Sequence, residues 1–380
     1  MSSKKKMNSG VRSVLFPSLL SFGLMFFLVF RQVLIPKSIY WGAWIAGDTY
    51  DVGNPPWNPE AIDIFEEHAK KKVSILHWGQ PWWHCNVVCN YQLFDFQKEQ
   101  YEMVRQRGAI PLVDWASYDY DASELLHQPE FSLSTIIKGQ HDEYIRQWAT
   151  QAKTWGHPFF LRFNWEMNGQ WFPWSEGVNG NLPGEYVLAW RHVHDIFEEV
   201  GTQNVTWVWC PNVIGPNSSI PLGRLYPGDE YADWVCMDGY NTGTHPARSG
   251  HSWQTFEDIF TETYSVLRII TPNKPIMIAE TASTEMGGSK AEWIQDMFIR
   301  TLPKRFPEVK AVVWFNWNIR GIDWAIESSP AAQSAFAESV APRYYAENNY
   351  SELEISPIPP ADQVPRLPGW DYLLPGIDQQ

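Results

Sequence analysis

The sequence predicts an α/β chain that closes into an eight-stranded (β/α)8 TIM barrel. Three observations carry this. From residue 38 onward, short apolar segments alternate with amphipathic, helix-like stretches, the pattern of repeated βα units. Eight apolar segments can be counted, the number that closes a barrel of this kind. With 380 residues the chain also exceeds the ~250 that one such barrel takes.

Residues 1–37 precede the alternation. Lys4, Lys5, Lys6 and Arg12 come before an apolar run over 14–30, the charge order of a secretory signal or an N-in membrane anchor. No A-x-A-like cleavage site follows in R-Q-V-L-I-P-K, and roughly 17 apolar residues is the short limit for spanning a bilayer. The segment therefore reads as an uncleaved transmembrane signal-anchor. The membrane is then one partner of the chain, and the domain behind it is extracytoplasmic, either anchored or secreted.

The barrel itself is expected over 38–345. Its strands are predicted at 39–45, 73–78, 110–115, 159–164, 205–209, 234–237, 276–279 and 311–315. Helices are predicted between them, each with a start or stop signal. Asn58-Pro59-Glu60 supplies a cap, a first-turn proline and an acid for a helix running to Lys72. Helices over 94–107 and 140–155 end at Gly108 and Gly156, where a left-handed residue is wanted. Further helices are expected at 184–200, 253–270, 290–306 and 331–340. The fifth unit has no long helix, because residues 211–231 are rich in Pro, Gly and Asn and allow a turn or two. Residues 346–380 form a Pro-rich tail that wraps on the barrel or extends from it, with Trp370, Tyr372, Leu373 and Leu374 suited to docking.

Charge narrows the partners. The net charge is −14, and without the five cations of the first 36 residues it is −19. Such a surface argues against nucleic acid. The 22 tryptophans can fill the core or serve as sugar platforms, and Trp82, Trp83, Trp171 and Trp174 fall in Pro/Gly/Asn-rich predicted loops, which favours surface use. Of the four cysteines, Cys85 and Cys89 form a C-x3-C pair suited to a disulfide, and the three pairings among Cys85, Cys89, Cys210 and Cys236 stay open. No metal is expected, since C-x3-C has no second matching pair and His192 and His194 point apart on a helix.

The segment F-F-L-R-F-N-W-E-M-N-G-Q-W-F-P-W, from Phe159 to Trp174, is an apolar strand followed by an aromatic loop, with Glu166 at the changeover. In K-P-I-M-I-A-E-T-A-S, Glu280 closes the seventh strand in the same way. Acids at the C-terminal ends of different strands meet over a barrel mouth whatever their separation in sequence. One protonated and one ionised carboxyl, facing each other, is what retaining cleavage of a glycosidic bond requires.

R-F-N-W-E-M-N-G-Q-W-F-P-W, with A-E-T-A-S and W-F-N-W, resembles glycoside hydrolase family 26, which contains β-mannanases, mixed-linkage β-glucanases and β-1,3-xylanases. The likeness runs from Ile39 to about Arg343. It implies an endo-acting, retaining hydrolase of a β-linked polysaccharide, without metal or cofactor, acting as a monomer. It implies Glu166 as acid/base and Glu280 as nucleophile. Arg162 matches an arginine near the nucleophile that would keep it ionised, and Tyr240 a tyrosine bonded to it. Trp171 matches the loop tryptophan, and Trp314 a platform beneath the sugar. Asp238, His77 and Asn212 are further candidates for substrate binding.

Two positions depart from the family pattern. Trp165 stands where members have histidine, so Asn164 is expected to contact sugar or orient Glu166. Phe315 stands where many mannanases have arginine, which weakens a mannan assignment. The alternatives left open are a non-catalytic polysaccharide-binding barrel and an enzyme that processes the producer's own exopolysaccharide. No nucleophile elbow or phosphate loop points elsewhere.

Overall fold

The computed structural model describes residues 37–85, 91–215 and 220–365. The anchor segment at 14–30, Cys89 and hence the Cys85–Cys89 pair, and the docking residues Trp370 to Leu374 lie outside these. Among the described residues no helix is long and apolar enough to cross a membrane.

Eight parallel strands close the barrel: β1 (Tyr40–Ile45), β2 (Ile75–Cys85), β4 (Ile110–Asp119), β5 (Phe159–Phe163), β6 (Val205–Trp209), β7 (Trp234–Asn241), β8 (Ile276–Ser283) and β9 (Val309–Asn316). Each pairs with its neighbour, and β9 returns to β1 with Tyr40 opposite Ala311. The ninth strand of the sheet, β3 (Tyr91–Leu93), lies antiparallel on β2 outside the barrel. The second, third, sixth and seventh strands run past their predicted ends. β2 and β4 remain paired as far as Trp83 opposite Asp119, so they rise above the rim.

Alternation along the strands divides the core in two. Tyr40, Ile75, Leu112, Phe160, Trp234, Met277 and Val313 fill the barrel, while Trp41, Val113, Leu161, Ile278 and Trp314 face the helices. The helices turn one apolar stripe inward. In Asp142–Trp155, for example, Tyr144, Ile145, Trp148, Ala149, Ala152 and Trp155 are buried, and Trp148 stacks on Trp115 at 4.6 Å. Cutting Trp148 to alanine removes a fully buried indole and costs about 3–5 kcal/mol.

The predicted helix ends are found in part: the first helix stops at Ala69, short of Lys72, with Lys70 left-handed at φ 55°, and Pro59 occupies its cap position. The Asn58 side chain accepts from the Glu60 N–H at 2.9 Å, and Gly156 ends its helix at φ 82°. Among the described residues, the fifth unit has a single short helix, Leu222–Leu225. Two helix starts differ from expectation. Lys98–Gln106 begins four residues late, because Phe94 and Phe96 pack against neighbouring rings instead. Phe256–Ile270 begins behind a Thr255/Asp258 capping box.

Two tryptophans expected at the surface are core residues. Trp82 lies on the extended β2 against Trp115 and Phe163, and Trp174 is folded under Trp165, donating to its carbonyl at 2.7 Å. Both are fully buried. The tail, as far as residue 365, closes the lower end of the barrel. Tyr350, Leu353 and Ile358 join the interior cluster, Trp234 Nε1 donates to the Ile358 carbonyl at 2.8 Å, and Tyr40 donates its hydroxyl to the Pro359 carbonyl at 2.8 Å. Cys210, just past the end of β6, and Cys236, on β7, are joined as a disulfide inside the barrel.

Candidate active site

Going up the barrel, the interior changes from apolar to charged. Above Leu112 and Phe160 come Asp114 and Arg162, opposite each other on β4 and β5. Arg162 is fully buried. Its Nε lies 2.9 Å from an Asp114 oxygen, and its Nη2 lies 3.0 Å from Asp238 and 2.6 Å from Glu280. One guanidinium thus holds three carboxylates from three strands. A fixed planar fork is suited to this, and an ammonium is not. His77 adds a fourth strand, with Nε2 2.9 Å from Asp114.

Glu280 reaches this layer because β8 is irregular. By simple alternation after Met277 and Ala279 it would face the helices. Met237 pairs with Ile278 but Asp238 pairs with Glu280, so Ala279 is an extra residue on β8. Such a bulge re-aims the side chain that follows it. Glu280 then receives the Tyr240 hydroxyl on its second oxygen. Burial, followed by the charge of Glu280, raises the Tyr240 phenol, which therefore stays protonated and donates.

Glu166 sits three residues past the end of β5 in a sharply bent loop. Asn164 and Glu166 both have left-handed backbones, at φ 43° and 52°. A non-glycine residue holds this conformation only when its surroundings impose it. Here the Asn164 N–H donates to the Trp115 carbonyl at 3.2 Å and the Glu166 N–H to the Cys210 carbonyl at 2.7 Å. The Glu166 carboxyl accepts from Trp171 Nε1 and from Asn212 Nδ2, each at 2.6 Å. Asn212 is itself clamped by Asn168, through an N–H···Oδ1 bond of 2.8 Å and an Nδ2···O bond of 2.9 Å.

The two glutamates face each other, with an oxygen of Glu166 within 4.8 Å of one of Glu280. Burial, and then the nearby charge of Glu280, raises the Glu166 carboxyl to about 7, against the opposing pull of Arg162, Asn212 and Trp171. The pair opens into a cleft of about 1550 Å³. Trp44, Phe315 and Trp317 form one wall of it, with the two indoles stacked 14° from parallel. Among the described residues, the three groupings of His, Cys or acid side chains close enough to share an ion each include a carboxylate already paired with Arg162.

Glu166, Glu280, Trp171, Tyr240, His77 and Asn212 all line the cleft, as the sequence suggested. Four other candidates do not. Arg162 and Asp238 lie beneath the floor, where they meet Glu280 and each other but no open space. Asn164 is fully buried, and its amide grips Ser117 of β4, donating to the hydroxyl at 2.8 Å and accepting the Ser117 N–H at 2.9 Å. Trp314 faces the helices among Trp293, Phe298 and Phe336, with Nε1 on the Trp324 carbonyl at 3.1 Å. Its neighbours Phe315 and Trp317 take the cleft side. Asp114, Asn168 and Trp44 were not singled out from the sequence. The signal for Asp114 was present, since an acid within I-P-L-V-D-W must find a cation if that strand is buried.

Comparison with known proteins places residues 106–282 on the model of glycosyl hydrolase family 26. The chain is 35% identical over 304 residues to endoglucanase H of Acetivibrio thermocellus, covering 79% of this chain and 30% of that protein. It is 28% identical over 180 residues to mannan endo-1,4-beta-mannosidase A and B of Caldalkalibacillus mannanilyticus, covering 46% of this chain and again 30% of the relative. The chain thus spans under a third of either relative. Among solved structures it is similar to the family 26 domain of a Prevotella bryantii endo-beta-mannanase/endo-beta-glucanase, with a TM-score of 0.56, 14% identity, and 86% and 96% of the two chains covered. It is also similar to a Bacillus subtilis mannanase, with a TM-score of 0.54, 17% identity, and 80% and 86% covered. These structural likenesses concern the fold.

Proposed function

Because the chain belongs to glycosyl hydrolase family 26, we propose that it hydrolyses internal bonds of a β-linked polysaccharide with retention of configuration. The observation that carries this reading is the facing pair Glu166 and Glu280, one raised to about 7 and the other against a buried guanidinium. In the first step a Glu280 oxygen forms a bond to the anomeric carbon as the glycosidic C–O bond breaks, and the proton of Glu166 passes to the departing oxygen. In the second step Glu166, now ionised, takes a proton from water, which displaces Glu280 and restores both groups. Arg162 and the Tyr240 hydroxyl hold the attacking carboxylate in place, so neither oxygen needs solvent. Trp171 and Asn212 aim the acid.

One feature supports a β-glucan as the first polymer to test: the longer match is to a protein named an endoglucanase. Phe315, where many family mannanases carry arginine, weakens a mannan assignment without choosing another backbone. Glu166→Ala provides the test of the acid role. The variant should lose hydrolysis of β-glucan or mannan while still releasing an activated aryl leaving group, whose departure needs no proton. Full activity of this variant on unactivated polysaccharide contradicts the reading.

We further infer that the catalytic domain works outside the cytoplasm, tethered through residues 1–37. The support is the basic-then-apolar order of that segment and the Cys210–Cys236 disulfide, a bond suited to an oxidising compartment. A reporter fused after residue 365 and active only in the cytoplasm contradicts it.

A further inference from the structure

The overhang of β2 and β4 builds a wall at one end of the cleft. His77, at its base, has a nitrogen within 4.8 Å of a Glu280 oxygen. From there to His84 the strand climbs seven residues, about 23 Å at roughly 3.3 Å each. Rings from three loops meet along this wall. Trp57 lies edge-on to Phe94 at 6.4 Å, Phe94 meets His84 at 5.6 Å, and His84 meets Tyr120 at 6.3 Å. All four line the same cleft as the two glutamates.

Exposure distinguishes this cluster from core packing. Trp57 and Tyr120 are 45% and 54% exposed, whereas Trp82, on the same overhang, is completely covered. Large rings left bare on a wall continuous with a polysaccharide cleft have faces free to stack. His84, fixed by an Asp121 carboxylate at 3.0 Å, supplies a polar neighbour for hydroxyl groups.

Resting on the glycosidase reading, we propose that Trp57, Phe94, His84 and Tyr120 form a distal subsite for a backbone sugar of a β-linked polysaccharide, several residues from the scissile bond. Stacking on such rings discriminates long chains from short ones. It draws the polymer along the overhang and biases cleavage toward internal bonds.

The test uses Trp57→Ala and Tyr120→Ala, both at exposed positions, with β-gluco- and β-manno-oligosaccharides from the disaccharide to the hexasaccharide. In each variant the ratio of kcat/KM for the longest to the shortest cleaved substrate should fall roughly two- to tenfold through KM, the effect of one aromatic contact. An unchanged ratio, or an equal loss on every length, overturns the subsite. Affinity electrophoresis in gels containing β-glucan or mannan separates this from the catalytic reading. Wild-type protein retarded without turnover sinks the hydrolase, while loss of retardation in the two variants still upholds the subsite and its retention overturns it.

Discussion

Replacing Glu166 by glutamine removes one titration and keeps the side chain's size. Glu166 is 7% exposed, and its carboxyl is raised to about 7 by burial and by Glu280; an unfolded glutamate titrates near 4.3. A group whose folded value is raised stabilises the native state fully below its unfolded value, and that stability is lost as pH rises through the folded value. Between pH 5 and pH 8.5 these two values give a loss of about 2.5 kcal/mol from this residue. Glutamine has no such loss, and any pH-independent cost of its amide cancels in the comparison. Urea unfolding of both proteins at the two pH values should therefore show Glu166→Gln gaining about 2.5 kcal/mol relative to wild type at the higher pH. Because Glu280 is the second cause of the raised value, the gain should shrink in a Glu280→Gln background. Parallel pH dependence in the first pair, or a gain at low pH, refutes the assignment of a buried, proton-retaining acid.

Other expectations follow from the same geometry. Trp171→Phe deletes a hydrogen bond that favours the ionised form of Glu166, so the alkaline limb of kcat/KM should move to higher pH; a move downward contradicts that role. Replacing Cys210 and Cys236 by serine opens a link across 26 residues and should cost about 3.5 kcal/mol in urea unfolding. Tyr350→Ala, beneath the barrel, should cost about 3 kcal/mol, and a change below 1 kcal/mol would show the tail to be a loose cover.

What was legible in the sequence was local. Runs of Val, Ile and aromatic residues located all eight strands, and acids just past two of those runs located Glu166 and Glu280. Side-chain direction was harder to read. The family resemblance implies a cleft platform at Trp314, but parity from Ala311 and Val313 puts Phe315 inside instead. Parity alone would also have turned Glu280 outward. The bulge at Ala279 that corrects this depends on pairing with β7, which the β8 residues do not reveal. The burial of Trp82 and Trp174 escaped for a related reason, since flanking Pro and Gly signal a turn but not what covers it. Asn168 needed its partner Asn212, beyond the end of β6, before its position made sense.

Double displacement depends on Glu280 forming a covalent bond to the sugar. Incubating the protein with an activated 2-deoxy-2-fluoro β-glycoside slows the second step, and intact mass followed by peptide mapping reads the product. One added glycosyl group on the peptide containing Glu280, absent in Glu280→Gln, is the predicted result. Turnover of the natural polymer with no such adduct, or an adduct on another carboxylate, contradicts it.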